Sequence, residues 1–151
     1  MILDELTELA DAQSVVGTAG TAILTDVIDL NAAQLSPTLR DEGDGTPIFL
    51  VIQVDTTILA SGGAANVTFA LTSDSTADLA TSPTTHYSSG AIPKATLVAG
   101  YQIVTALPRG KTYERYLGLK VTPDTNNTTA GKINAFLTLN PATINTYDDA
   151  V

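Results

Sequence analysis

His86 is the only imidazole in the chain and stands in Pro83-Thr84-Thr85-His86-Tyr87-Ser88-Ser89. A histidine beside serines suggests nucleophilic catalysis, because serine needs an adjacent base to attack. However, the Gly-x-Ser-x-Gly elbow is missing, and neighbouring positions on a strand point to opposite faces. Gly110-Lys111-Thr112 copies the end of a phosphate-binding loop, but that loop demands a glycine where Thr105 stands. An alternating strand follows, so no helix N-terminus is there to hold the phosphate. Carboxylates are the remaining chemistry. The run Asp41-Glu42-Gly43-Asp44-Gly45, and Asp74 with Asp78, offer oxygens to calcium. Calcium takes 6–8 oxygens, and the EF-hand spacing with its distal Glu is lacking. Solvated loops are the better reading of both. Two acids brought together only by the fold could still hydrolyse a glycoside. Asn66-Val67-Thr68 and the triplets starting at Asn126 and Asn127 fit the glycosylation pattern, which a threonine-rich chain produces by chance. No catalytic residue, metal ligand or cofactor-binding residue is assigned.

The composition narrows the rest. The chain has 151 residues, no cysteine, no tryptophan and a net charge of −9. Disulfides and thiolate metal sites are excluded. A length near 150 suits one domain that buries roughly 68–70% of its unfolded surface. The acidic balance argues against nucleic acid, which rewards a basic face. The longest apolar run, residues 48–52, is far below the ~20 needed for a membrane span. No basic n-region or apolar h-region opens the chain, so no secretory signal is expected. Charge is lopsided: residues 1–90 hold 12 acids and one base, and residues 91–151 hold 4 acids and 6 bases. Such a dipolar layout suggests docking or self-association, with a solvated face as the plainer alternative.

The elements that position these groups read as strands. Threonine occurs 24 times, and its branched Cβ suits extended, half-buried backbone. Strands are expected at residues 22–30, 48–54, 66–72, 101–107, 116–121 and 133–139, punctuated by Gly, Pro, Asn and Asp. Residues 48–54 are apolar on both faces, as a central strand would be. Asp124-Thr125-Asn126-Asn127 reads as a hairpin loop. Residues 3–13 are the most helix-like, with Leu3, Leu6 and Ala10 on one side, although an extended arm fits equally. Residues 92–100 suggest one or two helical turns, opened by Pro93 and closed by Gly100. The expected fold is all-β: an antiparallel β-sandwich, jelly roll or immunoglobulin-like, with one or two short helical turns. Residues 1–20 would form an N-terminal arm or short helix, and 21–151 a single sandwich domain.

A set of short motifs then appears in order: Met1-Ile2-Leu3-Asp4, Asp11-Ala12-Gln13, Val27-Ile28-Asp29-Leu30 and Gln53-Val54-Asp55. Ser82-Pro83-Thr84-Thr85, Ile92-Pro93, Leu97-Val98-Ala99-Gly100 and Leu107-Pro108-Arg109-Gly110 follow. Arg115-Tyr116-Leu117-Gly118-Leu119 and Ala130-Gly131-Lys132 complete the series. In this order and spacing the chain resembles the capsid cement, or decoration, proteins of short-tailed phages, of the type known from a Bordetella phage. Residues 35–46 and the tail after Pro141 fall outside the resemblance.

The resemblance implies a jelly-roll virion protein, made in the bacterial host cytoplasm and placed on the outer surface of an icosahedral capsid. It would bridge neighbouring major capsid subunits and associate with itself as a dimer or trimer, without catalysis or cofactor. Nucleic acid and membrane are not expected partners. Candidate interface residues are Leu3, Leu6 and Leu9 in the N-terminal segment, and Arg109, Lys111, Tyr113 and Arg115 in the tyrosine-bearing basic stretch. Tyr and Arg are the types enriched at interface hot spots. The alternatives are a carbohydrate- or receptor-binding sandwich of an adhesin, which the scarcity of aromatics disfavours, and a hydrolase.

Overall fold

A computed structural model describes residues 5–30, 46–108 and 111–141. Leu3, Arg109 and the acidic run 41–45 lie outside these residues. Among the described residues, the 3₁₀ turn Glu5–Thr7 leads into nine strands. These are β1 (Glu8–Ser14), β2 (Ile23–Asp29), β3 (Phe49–Ala60), β4 (Asn66–Asp74), β5 (Thr84–Ser88), β6 (Ile92–Pro93), β7 (Gln102–Ala106), β8 (Tyr116–Asp124) and β9 (Thr128–Thr138).

One sheet has the order β1-β9-β3-β7; the other has β2-β8-β4-β5, with β6 also paired to β4. All pairings are antiparallel. Each sheet interleaves early and late strands, and the chain crosses between sheets at nearly every connection. That is the double Greek key of a jelly roll, so the expected fold class holds.

The alternating side chains meet between the sheets. Leu50, Ile52 and Val54 of β3 face Val67, Phe69 and Leu71 of β4, with Leu117, Leu119 and Val121 from β8 and Ile133 and Ala135 from β9. Each such buried aliphatic or aromatic side chain contributes about 1.5–3 kcal/mol relative to exposure. Val51 points away from this core yet is 0% exposed, beside Phe136 on β9. The expectation of a central strand buried on both faces is met.

Two helical expectations are corrected. Residues 5–13 form no helix beyond the 3₁₀ turn, because β9 offers the backbone partners that so short a helix could not supply for itself. Register shifts along β1 turn both Leu9 and Ala10 inward, and the Ala12 N–H donates to Asn134 Oδ1 at 2.6 Å. The segment expected as a separate arm is therefore built into the sandwich, down to Val15 in the core. Residues 92–100 begin as β6 and continue as turns, with Thr96 N–H donating to the Pro93 carbonyl and Leu97 N–H to that of Lys94. The Leu97 carbonyl is taken by Ile58 N–H, and Gly100 N–H donates to Val54. Those ties to β3 hold the segment flat. Gly100 does close it, at φ +88°.

Candidate interaction surface

The expected docking residues separate into groups. Leu6 stands just before β1 and is 78% exposed. Leu9, in contrast, is fully buried in the core, so it is withdrawn as an interface residue. Lys111 is exposed. Tyr113 is corrected as well: it is 5% exposed, and its hydroxyl donates to the Pro108 carbonyl at 2.9 Å. It precedes β8, and its ring is packed inward against the core and His86. Arg115 keeps an exposed side chain, held by Asp29 through Nε at 3.0 Å and Nη2 at 2.8 Å, and lying over the Tyr116 ring at 4.9 Å. Its guanidinium pKa is raised, chiefly by the hydrogen bond to Asp29.

Tyr113 belongs to a polar cluster that the sequence did not reveal. Its ring stacks on His86 with centroids 4.1 Å apart. His86 Nε2 lies 2.7 Å from Ser73 Oγ, which also accepts the Glu114 N–H at 3.0 Å. Glu114 Oε1 in turn accepts the Thr84 hydroxyl at 3.1 Å. The histidine therefore pairs with Ser73, not with the adjacent Ser88 or Ser89. Ser73 is fully buried and its oxygen is shared between two neighbours, an arrangement that fastens β5 to the start of β8. Burial lowers the His86 pKa, Glu114 opposes this, and Lys111 reinforces it.

The unfolded chain therefore binds a proton at His86 more readily than the folded one. Stability should fall as pH drops below the ordinary histidine value of about 6.5. Thermal unfolding of wild type between pH 7.5 and 5 should show this slope, and His86→Gln should flatten it. Equal slopes for the two proteins would remove His86 as the cause.

The carboxylates considered for calcium are engaged within their own loop. Asp74 is fully buried and lies at the end of β4. Its Oδ1 accepts Ser75 N–H at 2.6 Å, Ser75 Oγ–H at 3.1 Å and Thr76 N–H at 3.4 Å. Its Oδ2 accepts Thr81 N–H at 2.9 Å and Ser82 N–H at 3.1 Å. Burial alone would raise its pKa, but these donors together hold it below the usual aspartate value. Asp78 Oδ1 accepts Thr76 Oγ–H and Ala80 N–H, and its pKa is lowered too. The loop so pinned carries Leu79 onto the outer face of the second sheet, against Gly118, where an added Cβ would come 2.7 Å from Leu79 Cδ1. Among the described residues, no group of three or more His, Asp or Glu is placed to hold a metal.

The four sheet edges differ. β1 has two register shifts and carries Glu8 and Asp11; β2 has one shift and carries Asp26 and Asp29; β5 has one shift and is overlapped by the His86 cluster. Bulges and charges of this kind protect edges from unwanted pairing. β7 runs in unbroken register along β3 and has no charged residue.

No curated protein matches the chain. A family model does, across residues 9–137. The match starts at Leu9 in β1 and ends at Leu137 in β9, taking in all nine strands but for the first residue of β1 and the last of β9, and on that ground the chain belongs to the Bbp16 family of phage proteins.

Proposed function

We propose that this chain is a structural virion protein that binds the outside of an icosahedral phage capsid and cements neighbouring major capsid subunits, without a catalytic step. The observation that carries the reading is membership of the Bbp16 family through the entire jelly roll. The physical character of the molecule supports it. Bulges or charges guard β1, β2 and β5, and the His86, Asp74 and Asp78 side chains are taken up in hydrogen bonds within the fold. A subunit repeated over a shell needs only modest contacts, because many copies multiply avidity. Self-association and the major capsid protein are the proposed partners, and the outer capsid surface is the proposed location. Among the described residues, Leu6, Lys111 and Arg115 are the candidate contact residues that reach solvent, Arg115 with its guanidinium held by Asp29.

Co-sedimentation with shells of the major capsid protein from the same phage tests the proposal. Wild type should pellet saturably, at a fixed ratio to capsid subunits. Deleting residues 1–9 is a poor probe, since it removes Leu9 from the core. Leu6→Asp and Lys111→Glu leave the sandwich intact, and a contact at either place should lose affinity by roughly 10-fold or more. Wild type remaining in the supernatant at every concentration would sink the cement reading, and binding to a glycan array would favour the carbohydrate-binding alternative.

A further inference from the structure

Among the described residues, β7 is the edge strand that has no register shift, no charged residue and no proline. Its residues Gln102-Ile103-Val104-Thr105-Ala106 pair with Gln53 through Phe49 of β3 one for one, with no bulge. Leu107 N–H donates to Ile48 and Val54 N–H to Tyr101. Antiparallel ladders alternate hydrogen-bonded and open pairs. Leu107, Thr105, Ile103 and Tyr101 therefore face β3, and the N–H and C=O groups of Gln102, Val104 and Ala106 face outward. None of those outward groups meets a partner among the described residues. Val104 is also 48% exposed.

We infer that β7 pairs with β7 of a second copy, antiparallel across a two-fold axis centred on Val104. This rests on the self-association named in the proposed function and gives it a place and a register. Val104 would oppose its own copy, and Gln102 would oppose Ala106 of the other chain. All three pairs are of the hydrogen-bonded kind, so every outward group is satisfied. The two four-stranded sheets become one of eight strands. Their outer faces join as well: Val104 stands in a cross-strand row with Val51, Phe136 and Glu8, and pairing makes the apolar part of that row continuous between copies.

Charge selects a second copy as the occupant. The molecule carries −9, and two copies approaching through β1 or β2 would bring aspartates and glutamates together. β7 is uncharged and lies in the half of the chain that holds 6 bases against 4 acids. Of the uncharged edges, β5 is interrupted by a register shift, which leaves β7 as the regular edge at which two acidic molecules meet with little repulsion.

The test uses the full chain without shells. Sedimentation equilibrium should give twice the 15.6 kDa chain mass. Val104→Lys and Val104→Pro should each weaken the dimer by on the order of 100-fold. Proline is a fair probe because the Val104 N–H is not used by β3, so monomer folding is expected to survive; unchanged circular dichroism verifies this. Register is tested by cysteine, which the chain lacks. Hydrogen-bonded antiparallel pairs hold Cα atoms ~5.5 Å apart, within disulfide reach. Val104→Cys should oxidise to a covalent dimer. Ala106→Cys alone should not, whereas Gln102→Cys combined with Ala106→Cys should.

A wild-type monomer at ~100 μM, or a dimer indifferent to Val104→Lys, overturns the inference. A wild-type monomer whose shell binding is abolished by Val104→Lys would reassign the edge to an extended segment of the capsid protein. Shell binding by monomeric Val104→Lys would leave the cement proposal standing on its own, and loss of shell binding by dimeric wild type would leave the pairing standing.

Discussion

Gly131→Ala should lower the melting temperature by roughly 10 °C or leave the protein insoluble. Gly131 sits in β9 between the two neighbouring strands, at φ +132°, where side chains rarely go. A Cβ there would lie 2.9 Å from the Ile58 Cα, 2.8 Å from Ile58 Cγ1 and 3.0 Å from Val15 Cγ2. The first of these is backbone and cannot swing aside. Val15 is also held, since its N–H donates to the Gly131 carbonyl at 3.1 Å. A strained backbone costs of order 1–3 kcal/mol and overpacking a core typically 1–3 kcal/mol. For a chain this long, each kcal/mol shifts the melting temperature by about 2–4 °C. Gly63→Ala is the control, because nothing lies within 4 Å of its added Cβ and its φ is ordinary. Should Gly131→Ala melt within about 2 °C of wild type, β9 must be able to move away from β3, and the tight seam described here is wrong.

The same residue explains what sequence could and could not convey about the fold. The alternation in residues 133–139 places Ile133, Ala135, Leu137 and Leu139 on one face; the first three face the core, whereas Leu139 lies past the end of β9 and is 63% exposed. Yet β9 begins at Thr128; Gly131 and Lys132 interrupt the apolar alternation where the pairing with β3 shifts register. β3 was likewise foreseen to Val54 but runs on to Ala60, beyond the point where Asp55, Thr56 and Thr57 break its apolar run. β1 departs furthest from what its local sequence suggests. Leu3, Leu6 and Ala10 imitate a helical face, and only the bulged register against β9 makes Leu9 and Ala10 both inward. Long-range pairing of this sort leaves no local signature.

Sites suffered for the same reason. His86 was singled out, but its partner Ser73 lies on another strand, and a contact of that kind is created by strand order, not by spacing. Tyr113 and Arg115 belong to types that fill interfaces, and here one is spent on the His86 ring and the other on Asp29. β7 was read correctly as a strand. Its importance lies in being an unguarded edge, which becomes visible only once the neighbours of all the other strands are known.

Asp74→Ala should lower the melting temperature by roughly 5–10 °C. The aspartate was read from sequence as a solvated loop residue, but it is buried, with five donors converging on its two oxygens. Alanine leaves the N–H groups of Ser75, Thr76, Thr81 and Ser82 to find water, and buried donors without acceptors are expensive. The loop then releases Leu79 from its seat on Gly118, and the Lys120 ammonium loses the Leu79 carbonyl it donates to. Asp74→Asn separates shape from charge. Its amide keeps one acceptor oxygen but turns a donor toward the other group of N–H donors, so it too should destabilise. The pH dependence has a definite sign. Because the folded pKa is depressed, the contribution of the carboxylate is fully present above its ordinary value of about 3.9 and is lost as pH falls through the lower folded value. Melting curves of wild type and Asp74→Asn should therefore lie far apart at pH 6 and converge below pH 4. The residues 75–82 should become the first site cut by protease in either variant at pH 7. A gap that stays constant down to pH 2, or a loop still resistant in Asp74→Ala, would mean that Leu79 and not the carboxylate holds the loop in place.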